Sequence, residues 1–201
     1  SKGFVTLPGG HRVGVCGKVI VENGQIKGIK EISSLNIRRG REVIGCAGSV
    51  MGQILSGNRV QSCLLVSPPG CGKTTLLRDI IRSLSQEGFR VSVVDERSEL
   101  AGMYRGSPQW ELGPRTDVLD GCMKDQGVSM VIRSMNPQVV CCDEIGRQED
   151  IDAIREALAS GVSVITTIHG GCFEDLKRSA ISPLLEEGVF HRLFFLTDSP
   201  K

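Results

Sequence analysis

CLLVSPPGCGKTT, residues 63–75, joins a short apolar run to a glycine-rich loop and to the start of a helical pattern. The loop matches the phosphate-binding pattern G-x-x-x-x-G-K-[ST], except that Ser67 stands at the first position. That position ends the strand before the loop turns, so a serine is compatible with the motif. The sequence therefore predicts a strand, a phosphate-binding loop and a helix, in that order.

The residue types of this loop suit a nucleotide. Gly70 and Gly72 permit backbone conformations that point consecutive N–H groups at an anion, and the helix N-terminus adds partial positive charge. We expect Lys73 to reach the β and γ phosphates and the Thr74 hydroxyl to bind Mg²⁺. The predicted nucleotide-binding residues are Pro69, Gly70, Cys71, Gly72, Lys73, Thr74 and Thr75.

Residues 60–201 alternate short apolar runs with helical patterns, which is typical of a mostly parallel sheet covered by helices. The runs are continuously apolar, as expected for strands buried on both faces. Apolar stripes at helical spacing occur at residues 76–84 and 151–158. We therefore expect an α/β fold with a RecA-like P-loop NTPase core. The predicted strands are residues 63–67, 90–95, 138–143, 162–167 and 192–197.

A small β-rich piece, residues 1–46, precedes this core. Asn23-Gly24 lies between two β-rich runs and predicts a tight hairpin turn, and a third run at residues 34–39 is expected to join the sheet. Residues 47–59 are expected to form a linker helix that ends at Gly57. The chain looks like a fragment, with a larger N-terminal domain and a truncated C-terminus.

The bulk composition bounds the class of protein. A chain of 201 residues with 40% hydrophobic and 23% charged residues can bury one principal core with room for a small appendage. No apolar run approaches the ~20 residues that cross a bilayer, so we expect an intracellular chain without membrane insertion. Eight cysteines without C-x-x-C spacing are expected to be reduced thiols.

The net charge of +1 argues against a general nucleic-acid binder, but the charge is unevenly distributed. Residues 1–50 hold eight Lys and Arg against three acids, whereas residues 51–201 hold sixteen against twenty. The split is either an ordinary surface bias or a basic face that meets phosphates or an acidic surface, including one on a neighbouring copy.

Polar residues follow the other predicted strands, and ligands of open parallel sheets bind beyond such strand ends. Asp143 could hold Mg²⁺ through water and Glu144 could polarise an attacking water, which favours hydrolysis. The pair could alternatively only cap the next helix. His169 could hydrogen-bond the γ-phosphate or be a structural histidine. The same rim receives Asp95, Glu96, Glu99, Thr166 and Thr167.

In chain order, the blocks SPPGCGKTT, VVDERSEL, IRSMNPQVVCCDEIG and ALASGVSVITTIHGG resemble the four motifs of the secretion-type ATPase family. That family drives type II and type IV secretion and pilus assembly, and its motifs are a phosphate loop, an acidic box, a metal-binding strand and a histidine box. The likeness spans residues 60–170. The stretch LPGGHRVGVCGKVIVENGQIKGIKEISSLNIRR (residues 7–39), the DERSELAG box and the CC pair before DEIG extend a second likeness over nearly the whole chain. They resemble a sporulation branch of ATPases, which is associated with the channel between mother cell and forespore.

The resemblance implies a Mg²⁺-dependent ATPase that hydrolyses ATP in a hexameric ring. It implies a motor subunit at the inner face of a membrane channel, on the mother-cell side, with a membrane protein as partner. The family usually carries Gly-Glu where this chain has Asp143-Glu144, so the metal role of Asp143 rests on wider phosphate-loop chemistry. The implied catalytic residues are Glu144, His169, Glu96, Glu99 and Arg133. The resemblance implies Thr74 as a metal-binding residue, and phosphate-loop chemistry adds Asp143.

Family members bind nucleotide between an N-terminal piece and the catalytic domain, which would account for the charge split. Candidates to meet phosphate are Arg12, Arg38 and Arg39 from the first piece, and Arg105, Arg115 and Arg133 from the second. Two other functions stay open: a nucleic-acid translocase on the same core, and a scaffold that binds nucleotide with little turnover. The loop at residues 103–117 either faces a partner or is a simple surface excursion.

Overall fold

The computed structural model of this chain describes residues 3–197, which begin with a three-stranded antiparallel sheet. The predicted hairpin turn is confirmed, because Asn23 and Gly24 have φ of 51° and 74°. Residues 34–38 do join this sheet, as predicted, but they continue the second arm of the hairpin and are not a separate run. The strands are β1 (Phe4–Leu7), β2 (His11–Glu22) and β3 (Gln25–Arg38).

Bulges explain why the sequence pattern predicts two runs where the structure has the single strand β3. The register between β2 and β3 shifts at Lys27, Glu31 and Ser33, and each irregularity adds one residue to β3. The extra residues disrupt the alternation in the sequence but keep the apolar side chains of the hairpin paired on one face. The pairs on this face are Val13–Ile37, Val15–Leu35, Gly17–Ile32, Val19–Ile29 and Val21–Ile26. Several of these side chains are exposed, with Ile37 at 70%.

The linker helix is shorter than predicted. Helix α1 (Gly48–Ile54) ends three residues before Gly57, because Leu55 and Ser56 pair with Val60 and Arg59 in a small hairpin. The two strands of this hairpin are β4 (Leu55–Ser56) and β5 (Arg59–Val60). The predicted end of the helix at Gly57 is therefore wrong.

The remaining elements alternate strand and helix, which confirms the α/β class. Six parallel strands form one sheet in the order β11-β6-β10-β9-β7-β8. The elements are β6 (Cys63–Ser67), α2 (Lys73–Gln86), β7 (Val91–Asp95), β8 (Thr116–Asp120), α3 (Lys124–Met135), β9 (Val139–Cys142), α4 (Gln148–Ala159), β10 (Ser163–His169), α5 (Phe173–Lys177), α6 (Ser182–Glu186) and β11 (Arg192–Phe195).

Helices cover both faces of this sheet. On one face α1 and α2 pack against the strands, and the stripe predicted on α2 is fully buried at Leu77, Ile80 and Ile81. On the other face α3 and α4 pack through residues such as Ile151 and Ile154. Each fully buried aliphatic side chain contributes about 1.5–3 kcal/mol to folding. Among residues 3–197, no helix is both long and apolar enough to span a bilayer.

The buried cysteines behave as small apolar residues. Cys63, Cys141 and Cys142 are free thiols inside strands of the central sheet. Burial raises the pKa of Cys63 to about 12 and that of Cys142 to about 11. These thiols therefore stay neutral at physiological pH, as their apolar surroundings require.

The loop between β7 and β8 joins the N-terminal sheet to the core. Trp110 lies in a slot where a Cβ added at Gly10, Gly40 or Gly102 would come within 2.2, 2.5 and 2.6 Å of the indole ring. The guanidinium of Arg78 stacks over the same ring at 4.6 Å. Gly10 lies in the turn between β1 and β2, and Gly40 follows the end of β3. Trp110 therefore packs between the N-terminal sheet and the core, and this part of the loop is not a simple surface excursion.

Replacing Trp110 with Ala is expected to lower the free energy of unfolding by about 2–3 kcal/mol, less than for a fully buried tryptophan. The indole fills the slot between the two parts and partners a cation, and alanine does neither. Urea unfolding at pH 7 measures the loss. Phe173→Ala is the matched control, because Phe173 is 39% exposed and also partners a cation, Lys177, at 5.0 Å. Equal losses for the two variants would contradict the role given to Trp110.

Candidate nucleotide site

The register of the parallel sheet brings three strand ends together. β10 lies between β6 and β9, so that His169 is level with Ser67 and Thr166 is level with Cys142. The residues that follow β6 and β9 therefore flank the end of β10. This is the crevice at which ligands of open α/β sheets bind.

The glycine-rich loop has the backbone conformation of an anion cradle. Gly70 and Gly72 have φ of 83° and 85°, and α2 begins directly after Gly72. Lys73 folds back over the loop, with its Nζ 2.9 Å from the Ser67 carbonyl oxygen and 3.2 Å from the Ser67 hydroxyl. The serine in place of the first glycine of the motif thus gives Lys73 an additional oxygen acceptor. Burial lowers the pKa of Lys73, and the nearby carboxylates of Asp143 and Glu144 only partly oppose this effect.

Asp143 lies beside the Thr74 hydroxyl, as a magnesium site requires. The Thr74 hydroxyl donates to Asp143 Oδ2 at 2.7 Å, and the Thr167 hydroxyl donates to Asp143 Oδ1. Hydroxyl and carboxylate oxygens are the ligands that Mg²⁺ prefers. Within residues 3–197 no cluster of three or more His, Cys, Asp or Glu is arranged to hold a metal. The Thr74 and Asp143 oxygens lie side by side, and their chemistry fits Mg²⁺.

Glu144 adopts a backbone conformation that few non-glycine residues adopt. Its φ is 55°, and its N–H donates to the Thr167 hydroxyl at 2.8 Å. Such conformations cost about 1–3 kcal/mol and persist only when the surroundings hold them. The turn directs the carboxylate to His169 Nε2 and to Arg97 Nη1, the latter at 2.6 Å. His169 Nδ1 lies 3.1 Å from Lys73 Nζ, so the imidazole joins the lysine to the glutamate.

Thr167→Val is expected to lower ATP hydrolysis about 10–100-fold and to cost about 1–3 kcal/mol of stability. Valine keeps the shape of Thr167, which is fully buried, but removes the hydroxyl that holds Asp143 and the Glu144 N–H. Phosphate release and urea unfolding measure the two effects. Thr166→Val is the control, because the Thr166 hydroxyl is equally buried and, in the described part of the chain, its hydrogen-bond partner is the Cys142 thiol at 3.4 Å and no residue of the cleft. Similar losses of activity in both variants would contradict the positioning role of Thr167.

Glu99 of the acidic box reaches the cleft and contacts the N-terminal sheet. Its carboxylate forms an ion pair with Arg12 of β2. The turn that presents Glu99 is held by Asp95, which accepts the N–H groups of residues 99, 100 and 101 at 2.8, 3.0 and 2.8 Å. Burial nevertheless raises the pKa of Asp95. Asp95 therefore shapes the loop from a buried position.

Glu96 forms ion pairs with residues that lie outside the cleft around Lys73. It accepts Lys124 Nζ at 2.6 Å and Arg147 Nη2 at 3.2 Å, and it does not line the cleft around Lys73. Burial alone would raise its pKa, but the bond from Lys124 and the charge of Arg147 lower it overall. Glu96 thus ties the loop after β7 to the start of α3, and it lines a small adjoining cavity together with Glu99 and Glu144.

Two cavities meet at the start of α2. The first, of about 440 Å³, has the polar lining of a phosphate site, and the second, of about 550 Å³, is mostly apolar. Gly72 and Thr75 line both, so one ligand can extend from the first into the second. The first is lined by Arg38, Pro69, Gly70, Gly72, Lys73, Thr74, Thr75, Arg97, Glu99, Asp143, Glu144 and His169, and the second by Cys46, Ser49, Val50, Leu76, Leu193, Phe194, Phe195 and Leu196.

The predicted arginines separate into two groups. Arg38, the last residue of β3, lines the first cavity, and Arg12 pairs with Glu99 beside it. Arg133 is not brought to the cleft, because it lies in the last turn of α3, before β9 begins, and faces Glu156 at 3.7 Å. The other three do not line the cleft in the described part of the chain: Arg39, Arg105 and Arg115.

Sequence reasoning missed Arg97, which lies inside the acidic box that it did single out. A charged residue next to three acids gives no signal of which acid it contacts. Its true partner, Glu144, is distant in sequence and approaches only because β7 and β9 are adjacent.

The fold is that of the P-loop secretion ATPases. It is similar to the ATPase DotB of Legionella pneumophila, with a TM-score of 0.56 at 17% identity over 86% of this chain and 46% of that one. It is also similar to the pilus retraction motor PilT, whose structure contains bound ADP, with a TM-score of 0.55 at 16% identity over 84% of this chain and 46% of that one.

The family model for sporulation stage III, protein AA, matches residues 1–201, and the chain belongs to this family. The chain is 49% identical to stage III sporulation protein AA of Bacillus subtilis over 98% of its own length and 66% of that protein. It is 33% identical to the uncharacterized protein ycf45 of Porphyra purpurea over 74% of this chain and 26% of that protein. The chain thus spans about two thirds of the length of the Bacillus relative.

Proposed function

We propose that this chain is the catalytic part of a Mg²⁺-dependent ATPase that acts as a motor subunit for a membrane-spanning channel or secretion complex during endospore formation. One observation carries the proposal: Lys73, Asp143, Glu144 and His169 surround one cavity at the mouth of a glycine-rich loop. Membership of the sporulation family supports the biological setting. The similarity to secretion ATPases supports only the fold.

The residues of the cleft divide the work of hydrolysis. The loop N–H groups and Lys73 bind the β and γ phosphates of ATP, and Thr74 and Asp143 would hold Mg²⁺, which neutralises phosphate charge. Glu144 orients a water molecule and takes its proton as that water attacks the γ-phosphorus, with ADP as leaving group. With Lys73 charged, His169 Nδ1 accepts from it and the Nε2–H donates to Glu144. His169 can thereby register the loss of the γ-phosphate.

The apolar cavity suits the nucleobase. It opens beside the start of α2, where the sugar of a nucleotide held by the loop would lie. Its walls come from α1 and from β11, the edge strand next to β6. Pockets with apolar walls and a few polar groups are typical of small-molecule and cofactor sites. We therefore assign the base to this cavity and the phosphates to the polar one.

The N-terminal piece completes the phosphate cavity in this proposal. Arg38 lines the cavity, and within residues 3–197 it has no acidic partner. In this proposal residues 1–46 form the N-terminal piece, residues 47–59 form the linker and residues 60–201 form the ATPase domain. Turnover then changes the angle between the pieces. A homohexameric ring would pass this motion to a membrane protein while staying in the cytosol, outside the bilayer, on the mother-cell side.

Phosphate release with ATP and excess Mg²⁺, measured at several protein concentrations, tests the proposed function. We expect release that stops on chelation of Mg²⁺ and that rises faster than linearly with protein concentration, since a ring shares its sites between subunits. No release at any concentration would contradict the ATPase. Strictly linear activity would contradict the shared site.

A nucleotide-gated scaffold is the second candidate function, and one contact favours it. Glu144 is held by both Arg97 and His169, which is a suitable arrangement for binding without turnover. The scaffold would be supported if the parent chain binds ATP tightly but hydrolyses it no faster than the Glu144→Gln variant does. Hydrolysis stimulated by DNA, with salt-sensitive binding, would instead support a nucleic-acid translocase.

A further inference from the structure

Arg97 projects into the cleft from a loop that is anchored on both sides. Glu96, directly before it, is bound by Lys124 at 2.6 Å and by Arg147. Ser98, directly after it, is 8% exposed and donates its hydroxyl to Asp120. The Arg97 side chain, by contrast, is 61% exposed. The backbone is therefore fixed, and the guanidinium is the part that can move.

Arg97 donates a hydrogen bond to one carboxylate oxygen of Glu144, the proposed catalytic base. Its Nη1 lies 2.6 Å from Glu144 Oε2, and His169 Nε2 contacts Oε1. A water molecule must compete with both groups for the carboxylate. In this structure both oxygens of Glu144 contact protein groups, and neither is left free for the attacking water.

The terminal phosphate of ATP is a better partner for Arg97 than Glu144 is. An ion pair this exposed to water is weak and is screened by salt. A guanidinium binds phosphate oxygens in a bidentate manner, and such bonds are among the strongest in proteins. Arg97 lines the same cavity as Lys73 and Gly72, where the phosphates would lie. ADP lacks the terminal phosphate and offers no such partner.

We propose that Arg97 exchanges Glu144 for the terminal phosphate of ATP. The exchange frees Glu144 when ATP is bound, and the pair closes again once phosphate has left. Arg97 thereby distinguishes ATP from ADP and positions Glu144 for its role. This inference rests on the proposed ATPase function and adds a residue that senses the terminal phosphate.

Arg97→Ala tests the exchange in two measurements. The affinities for ADP and for a non-hydrolysable ATP analogue are measured with Mg²⁺ by competition against a fluorescent nucleotide. We expect the affinity for the analogue to fall about tenfold while that for ADP changes less than about twofold. We expect kcat to fall at least about tenfold. Arg97→Lys keeps the charge without the bidentate geometry and should give intermediate values.

Arg155→Ala is the matched control. Arg155 forms an exposed ion pair with Glu187, also at 2.6 Å, but lies on α4 outside the cleft. It should leave both affinities and kcat unchanged. Equal weakening of ADP and analogue by Arg97→Ala, or no change in either, would overturn the exchange. A parent chain that binds neither nucleotide would instead refute the ATPase, so the two failures are distinguishable.

Discussion

Glu144→Gln is expected to leave ATP affinity within about twofold and to lower kcat about 10²–10⁴-fold, the usual contribution of a general base. Glutamine has the size of glutamate but cannot take a proton from water. The backbone N–H of residue 144 can still donate to the Thr167 hydroxyl in this variant, so the turn at residue 144 should persist. Binding is measured with a fluorescent ATP analogue, and kcat is measured by phosphate release under saturating Mg²⁺ and ATP.

The control for this variant is Glu149→Gln. Glu149 is an exposed acid in the first turn of α4 and does not line the cleft. It should hydrolyse ATP at the parent rate. An unchanged kcat in Glu144→Gln would remove Glu144 from the mechanism, and so would a loss of ATP binding that fully accounts for the lost activity.

Lys73→Ala is expected to weaken the binding of both ADP and ATP about 10–100-fold, corresponding to one or two lost charge-assisted hydrogen bonds. Hydrolysis should fall below detection, because the same lysine also neutralises charge on the transferred phosphate. Lys73 is 6% exposed, and its ammonium is surrounded by oxygens of the loop and by His169. The variant thus removes the cation at the centre of the cleft.

Lys177→Ala is the corresponding control, since this exposed lysine stacks on Phe173 at 5.0 Å and lies outside both cavities. It should bind nucleotide as the parent does. Calorimetric titration with ADP and ATP separates the variants. Parent-like binding of both nucleotides by Lys73→Ala would contradict the assignment of the loop as the phosphate site.

The central sheet and the phosphate loop could be predicted from the sequence because both depend on local patterns. Continuous apolar runs predicted strands buried on both faces, and the described strands fall within three residues of the predicted bounds. The glycines of the loop motif predict backbone conformations with positive φ, and Gly70 and Gly72 do adopt positive φ. The edge strand β8 and helix α3 were missed. β8 is half polar, and Gly127 interrupts the helical pattern of α3.

The contacts between strand ends could not be predicted, because they depend on the order of the strands. Sequence placed Glu96 and Glu144 at one rim, but only the folded chain pairs Glu96 with Lys124 and Glu144 with Arg97. The bulges at Glu31 and Ser33 similarly conceal one long strand from any test of alternation. Arg133 was predicted from its motif position, and a motif position does not fix which end of the sheet a residue occupies.

A structure of the chain with a non-hydrolysable ATP analogue and Mg²⁺ tests the central claim most directly. We expect the terminal phosphate between Lys73 and Glu144, with His169 within direct or single-water hydrogen-bond reach of it. Arg97 should have left Glu144 for the phosphate. An analogue bound away from the glycine-rich loop, or bound there with Glu144 and His169 beyond the reach of one bridging water, would contradict the account.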